Sequence, residues 1–97
     1  MGSGKVIEAA VDALNRKLTR GFDGVAKFKI ADAGAIIVDS SGARAGDDEA
    51  DVTLTADRNT FQDILEGNLD PASAFMSGRL AVDGNIGTAM KLGSALS

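Results

Sequence analysis

Ninety-seven residues make one domain with one hydrophobic core, and an apolar fraction of 44% against 25% charged is ordinary for a folded chain. A net charge of −4 with no basic block argues against a nucleic-acid partner. Without Cys and His there is no disulfide framework, thiol nucleophile or zinc–thiolate site, and the commonest general base is missing; an enzyme could still use Asp, Glu, Lys or Ser, but the expectation is no enzyme activity, metal or cofactor.

In chain order, Val6, Ile7, Ala10, Val11, Leu14 and Leu18 recur at three- and four-residue spacing. They form one stripe of an amphipathic helix, with Lys5, Glu8, Asp12, Asn15 and Arg16 off the stripe. Ser3 is the expected cap. Arg16, Lys17 and Arg20 gather where cations favour the helix dipole, and Gly21 suits a left-handed stop. The period then changes to two. Val25 to Ile30 reads as a strand with Ala26, Phe28 and Ile30 on one face and lysines on the other. Ala33-Gly34 turns the chain into a second strand, Ala35 to Asp39, whose centre is apolar throughout. Ser40-Ser41-Gly42 turns again, Ala43 to Gly46 is a short edge strand, and Asp47-Asp48-Glu49 is an acidic turn without the spaced oxygens of a calcium loop. Asp51 to Ala56 is another alternating strand.

Asp57 opens a helix carrying Phe61, Ile64 and Leu65 that Gly67 stops, and Asp70-Pro71 opens a short one carrying Ala72, Phe75 and Met76. Arg79 to Asp83 is the last strand. Gly84, where a positive φ is expected, and Asn85, a cap, lead into a terminal helix. Its residues Ile86, Ala89, Met90, Gly93 and Leu96 share a flank, with Leu92 beside it, and almost no polar face. Two uses stay open for it: core packing, which suits Ile86, or a lid that opens easily because Gly87 and Gly93 weaken it. The order is α+β with one mostly antiparallel sheet, and the two middle helices are expected to make a crossover between the Val52 and Leu80 strands. Asp57 and Asp63 do not share a face, which leaves a catalytic carboxylate pair unsupported. No apolar run approaches the ~18 residues of a spanning helix. The first residues lack a signal-peptide core, and Val6 stands where myristoylation needs Ser or Thr, so a cytoplasmic protein is expected.

The stretch GNLDPASAFMSGRLAVDGN, with Gly67, Leu69, Pro71, Phe75, Met76, Gly78, Leu80, Val82, Gly84 and Asn85 in order, resembles the signature of the sterol carrier protein type-2 domain family. VAKFKIADAGAIIVDSSG is similar to that family's first hairpin, and EADVTLTADRNTFQDIL to its strand entering a helix. The resemblance runs from about Val6 to Leu96. Two departures stand out: Ile36-Ile37 where relatives often carry an aromatic, and an end at Ala95-Leu96-Ser97 in place of a peroxisomal address, which suggests a stand-alone bacterial member.

The resemblance implies a five-stranded sheet covered by helices over an apolar tunnel, and a carrier rather than a catalyst. The implied ligand is a fatty acid, a fatty acyl-CoA or a similar lipid. Phe28, Ile30, Leu54, Phe61, Ile64, Leu65, Leu69, Phe75, Met76, Leu80, Val82 and Met90 are the implied tunnel residues. Met76 and Met90 adapt to irregular shapes but serve equally as core filling. Arg16, Lys17 and Arg20 are head-group candidates, or a solvated helix end. Transient membrane contact, and a monomer or homodimer, are compatible with this reading. The rival reading is a protein-interaction or dimerisation module, or an accessory domain presenting a lipid to a partner enzyme.

Overall fold

The computed structural model describes residues 3–96. The elements are α1 (Ser3–Lys17), β1 (Ala26–Ile30), β2 (Gly34–Asp39), β3 (Gly42–Ala45), β4 (Val52–Ala56), α2 (Arg58–Leu65), α3 (Pro71–Met76), β5 (Ala81–Gly84) and α4 (Ile86–Leu96). The five strands form one sheet in the order β3-β2-β1-β4-β5. Every pairing is antiparallel except β1 with β4, which is parallel.

This topology corrects the expected crossover. β4 and β5 are antiparallel neighbours, Val52 opposite Gly84 and Leu54 opposite Val82, so α2 and α3 form a long excursion between adjacent strands. β3 and β4 run in the same direction, so the connection that carries the chain past β2 and β1 to β4 is the stretch 46–51.

Residues alternate across the strands as their polarity requires. Ala26, Phe28, Ile30, Ile36, Val38, Val52, Leu54 and Ala56 are buried on the face that receives the helices. Ile7, Ala10, Leu14 and Leu18 complete this core from α1. Ile37 is buried too, at 1% exposure, but on the opposite face, in register with Lys27 and Arg44. The chain after β3 passes over it: a Cβ on Gly46 would lie 3.4 Å from Ile37 Cγ1, and Asp47 pairs with Lys27 at 2.8 Å. That explains the continuous apolar run in β2, and it occupies the first carboxylate of the acidic turn.

Local chemistry places the helix starts. Asp57 accepts the Thr60 N–H at 2.8 Å, Asp70 the Ser73 N–H at 3.2 Å and Asn85 the Thr88 N–H at 2.9 Å. Pro71 takes the first position of α3, where no N–H is needed. Ser3 lies inside α1 rather than before it, and Arg20 lies beyond its end. Three boundaries shift by a few residues. The first hairpin turns at Ala31–Ala33, with Asp32 left-handed at φ 64°, and Gly34 already belongs to β2. Gly42 begins β3 and Gly46 falls outside it. Arg79 and Leu80 stay out of β5 because their N–H groups bond the Ala74 carbonyl, at 2.9 and 3.1 Å, and so close α3 instead of joining the ladder.

The outer edge of the sheet at β3 is engaged by α1. Asn15 Nδ2 donates to Ala43 O at 3.1 Å, and the Ala43 N–H donates to Asn15 Oδ1 at 2.8 Å. One carboxamide thereby satisfies both backbone groups of an edge residue.

Candidate functional site

The row Phe28, Leu54 and Val82 runs straight across β1, β4 and β5, each residue opposite the next. α1 covers the other end of the sheet. Over this row stand α3 and α4, and between them and the sheet lies a cavity of about 500 Å³. That volume is in the range of small-molecule sites. Phe28, Leu54 and Val82 form its floor, with Ile64 and Leu80 beside them. Pro71, Ala72, Phe75 and Met76 line it from α3, and Ile86, Ala89, Met90, Leu92, Gly93, Ser94 and Leu96 from α4.

The floor is largely buried, with Val82 half-buried, and the rim is exposed. Phe28, Leu54, Ile64, Leu80, Leu92 and Leu96 are all buried. Phe75 is 50% exposed, Met76 85%, Ile86 53% and Met90 69%, and these are the large exposed apolar side chains among the described residues. All four line this one cavity. Scattered singly they would be ordinary; gathered around one opening they form a patch of the kind that marks a binding site.

α4 therefore does two things. Leu92 and Leu96 point into the core, whereas Ile86 and Met90 stand at the rim. The expectation that Ile86 is core is corrected: the helix phase set by Leu92 and Leu96 turns it outward.

Of the residues implied by the resemblance, eight meet at the cavity: Phe28, Leu54, Ile64, Phe75, Met76, Leu80, Val82 and Met90. Ile30 is buried in the core away from it, and Leu65 and Leu69 pack against the core from outside the lining. Phe61 packs against the floor residue Phe28, its ring 4.9 Å from that of Phe28 at an interplanar angle of 59°. Arg16, Lys17 and Arg20 are exposed near the end of α1, and none lines the cavity. Sequence reasoning did not include Asp70, Pro71, Ala72, Ile86, Ala89, Leu92, Gly93, Ser94 and Leu96 in the site. The available signal was the scarcity of polar residues in α4, which marks the whole helix rather than Met90 alone.

A polar network anchors the wall. Thr60, 1% exposed, donates its N–H to Asp57 and accepts Arg79 Nε at 3.2 Å, while Arg79 Nη2 reaches Asp63 at 3.3 Å. It ties α2 to the joint between α3 and β5, next to Leu80. The Thr60 N–H, and after it the Thr60 hydroxyl, hold the Asp57 carboxyl below its usual value.

The SCP-2 sterol transfer family model matches residues 5–97. The chain belongs to the SCP-2 sterol transfer family. It is 35% identical over 89 residues to mouse (Mus musculus) hydroxysteroid dehydrogenase-like protein 2, covering 84% of this chain and 18% of that protein. It is 30% identical over 98 residues to human (Homo sapiens) sterol carrier protein 2, covering 91% of this chain and again 18% of that protein. The chain thus spans about a fifth of the length of these curated relatives. Among solved SCP-2 structures, palmitated SCP2L2 from Aedes aegypti superposes with a TM-score of 0.67 at 25% identity, covering 97% of this chain and 90% of that one. The five-stranded sheet and its helical cover are the SCP-2 fold. Among the described residues no helix is long and apolar enough to cross a membrane.

Proposed function

We propose that this SCP-2 domain is a carrier that holds the apolar tail of a lipid in the cavity between α3, α4 and the sheet. One observation carries the reading: Phe75, Met76, Ile86 and Met90 expose hydrocarbon to water, and all four do so around a single cavity with a buried apolar floor. Covering them with an acyl chain would recover roughly 25 cal/mol for each Å² of apolar surface removed from water. Membership of a lipid-transfer family supports a lipid as occupant, and the palmitate carried by the Aedes relative makes an acyl chain the natural first probe. A fatty acid or fatty acyl-CoA held this way would keep its tail on the Phe28–Leu54–Val82 floor. The role is non-catalytic and cytoplasmic in this reading, and the sequence holds neither the His nor the Cys that most often serves as base or nucleophile.

The test is binding of a fluorescent acyl-chain probe to the purified chain, with native mass spectrometry of the same sample. Saturable 1:1 binding, with lipid mass retained on the protein, supports the carrier. An empty homodimer or a stable protein complex that buries Met76 and Met90, with no probe bound, would favour the interaction module.

A further inference from the structure

The two helices that stand over the cavity are held down very differently. In the segment 70–78, which contains α3, Ala74 is buried, Pro71 is half-buried and every other residue is exposed. One methyl group is thus what α3 places fully in the core, whereas α4 places two leucines there, Leu92 and Leu96. The segment is secured instead at its ends, and both ends are tied to Asp63 of α2. The Asp63 carbonyl accepts the N–H groups of Asn68 and Leu69, at 2.9 and 3.1 Å, just before the segment begins. The Asp63 carboxylate accepts Arg79 Nη2 at 3.3 Å, just after it ends. Leu69 and Leu80, beside these anchors, pack into the core. Gly67 and Gly78 mark the two joints, at φ +80° and +82°, and a Cβ on either would meet nothing within 4 Å. Rotation there meets no neighbouring atom. Toward α4 the segment closes at Pro71, since a Cβ on Gly93 would lie 3.7 Å from Pro71 Cβ.

We propose that the segment 70–78 is the gate of the cavity: it swings away from Gly93 about its two ends while α4 stays docked through Leu92 and Leu96. The inference rests on the lipid-carrier reading and adds how a lipid enters and leaves. A tail lying on the Phe28–Leu54–Val82 floor sits beneath both helices, so one of them must move to release it. Local opening begins where least apolar surface is buried, and that is α3. An outward swing about Gly78 lengthens the bonds from the Arg79 and Leu80 N–H groups to the Ala74 carbonyl, so the closed form is the resting one.

The test is a disulfide that fastens the gate. Pro71→Cys with Gly93→Cys puts two Cβ atoms 3.7 Å apart, inside the range of about 3.5–4.5 Å that a disulfide needs. The full chain has no other Cys to compete. Pyrene-dodecanoate is loaded and then chased with excess dodecanoate in a stopped-flow fluorimeter, and uptake by the empty protein is followed separately. The oxidised double variant should release and take up the probe about tenfold or more slowly, and dithiothreitol should restore both rates to within about twofold of the unaltered protein. Because both rates fall together, the affinity should stay within about threefold. Hydrogen exchange of the unaltered protein, read by mass spectrometry, identifies the helix that moves. Amides of 74–78 should exchange at least about tenfold faster than those of 90–96. Unchanged probe rates in the oxidised variant would overturn the gate, and so would 90–96 exchanging as fast as 74–78. Failure of the unaltered protein to bind the probe would instead remove the carrier reading, and this one with it.

Discussion

Gly84 joins the edge strand β5 to α4, and its φ is +113°. A Cβ built there would lie 2.5 Å from Asp51 O and 3.0 Å from Val52 Cα, both main-chain atoms of the neighbouring segment. Neither can swing aside as a side-chain end could. Gly84→Ala must therefore bear two costs: the left-handed backbone, about 1–3 kcal/mol, and a displacement of β5 from β4. The displacement endangers the hydrogen bond from the Asn85 N–H to Asp51 O at 2.9 Å, worth about 1 kcal/mol net. Together these come to about 2–4 kcal/mol, a large share of the roughly 5–15 kcal/mol available to a domain. At about 4–8 °C per kcal/mol, the melting temperature should fall by about 8–32 °C. Gly67→Ala supplies the control, because Gly67 has φ +80° and a Cβ there would have nothing within 4 Å. It reports the backbone cost alone. Thermal melts followed by far-UV circular dichroism compare the two. If Gly84→Ala melted no lower than Gly67→Ala, the main-chain overlap would be relieved by relaxation and the reasoning would fail.

Met90→Asp should leave the melting temperature within about 3 °C, since Met90 is 69% exposed, yet weaken acyl-probe binding severalfold. Leu92→Ala, two residues on and 1% exposed, should cost about 2–5 kcal/mol in urea unfolding, and these opposite outcomes check the two roles assigned to α4. Asn15→Ala removes both hydrogen bonds to Ala43 and should lower stability by about 1–2 kcal/mol, readable as a shift of the urea midpoint. Asp39, Asp47 and Asp57 have folded pKa values below the ordinary 3.8, through the Ser41 N–H, Lys27 and the Thr60 N–H respectively. Below 3.8 the unfolded chain takes up protons before the folded one, so their contribution is complete above that pH and is lost as pH falls through the lowered values. Urea midpoints from pH 5 to pH 2 should drop in step, and less steeply in Asp57→Asn.

What the sequence reveals and what it hides divide along the range of the interactions. Asp57, Asp70 and Asn85 were legible as caps because a cap bonds an N–H three residues away, within one short stretch of chain. Phe28 and Leu54 were legible as inward residues because alternation is local. Their being side by side across a parallel pair was not, since that depends on where β4 docks. The exclusion of Arg79 and Leu80 from β5 follows from the Ala74 carbonyl, a bond that a strand pattern cannot anticipate. In α4 the failure has a different cause. A helix with one charged residue, Lys91, has little polar face to mark its phase, so Ile86 and Leu92 look equivalent in sequence and diverge only once α4 packs.

The parallel pairing of β1 with β4 also bears on how the chain reaches its native state. β1, β2 and β3 are joined by short turns, and closing short loops costs little entropy. The β1–β4 ladder is different: it pairs residues 26 apart in sequence, Ala26 with Val52 among them, and it alone joins β4 and β5 to the rest of the sheet. Non-local pairings of this kind slow folding. The β1–β2–β3 meander should thus be well formed at the rate-limiting barrier, with the docking of β4 completed after it. Val38→Ala should then slow refolding, whereas Val52→Ala should chiefly speed unfolding, as stopped-flow kinetics would resolve. On that order the cavity, whose floor straddles the β1–β4 seam, is among the last parts of the molecule to come into being.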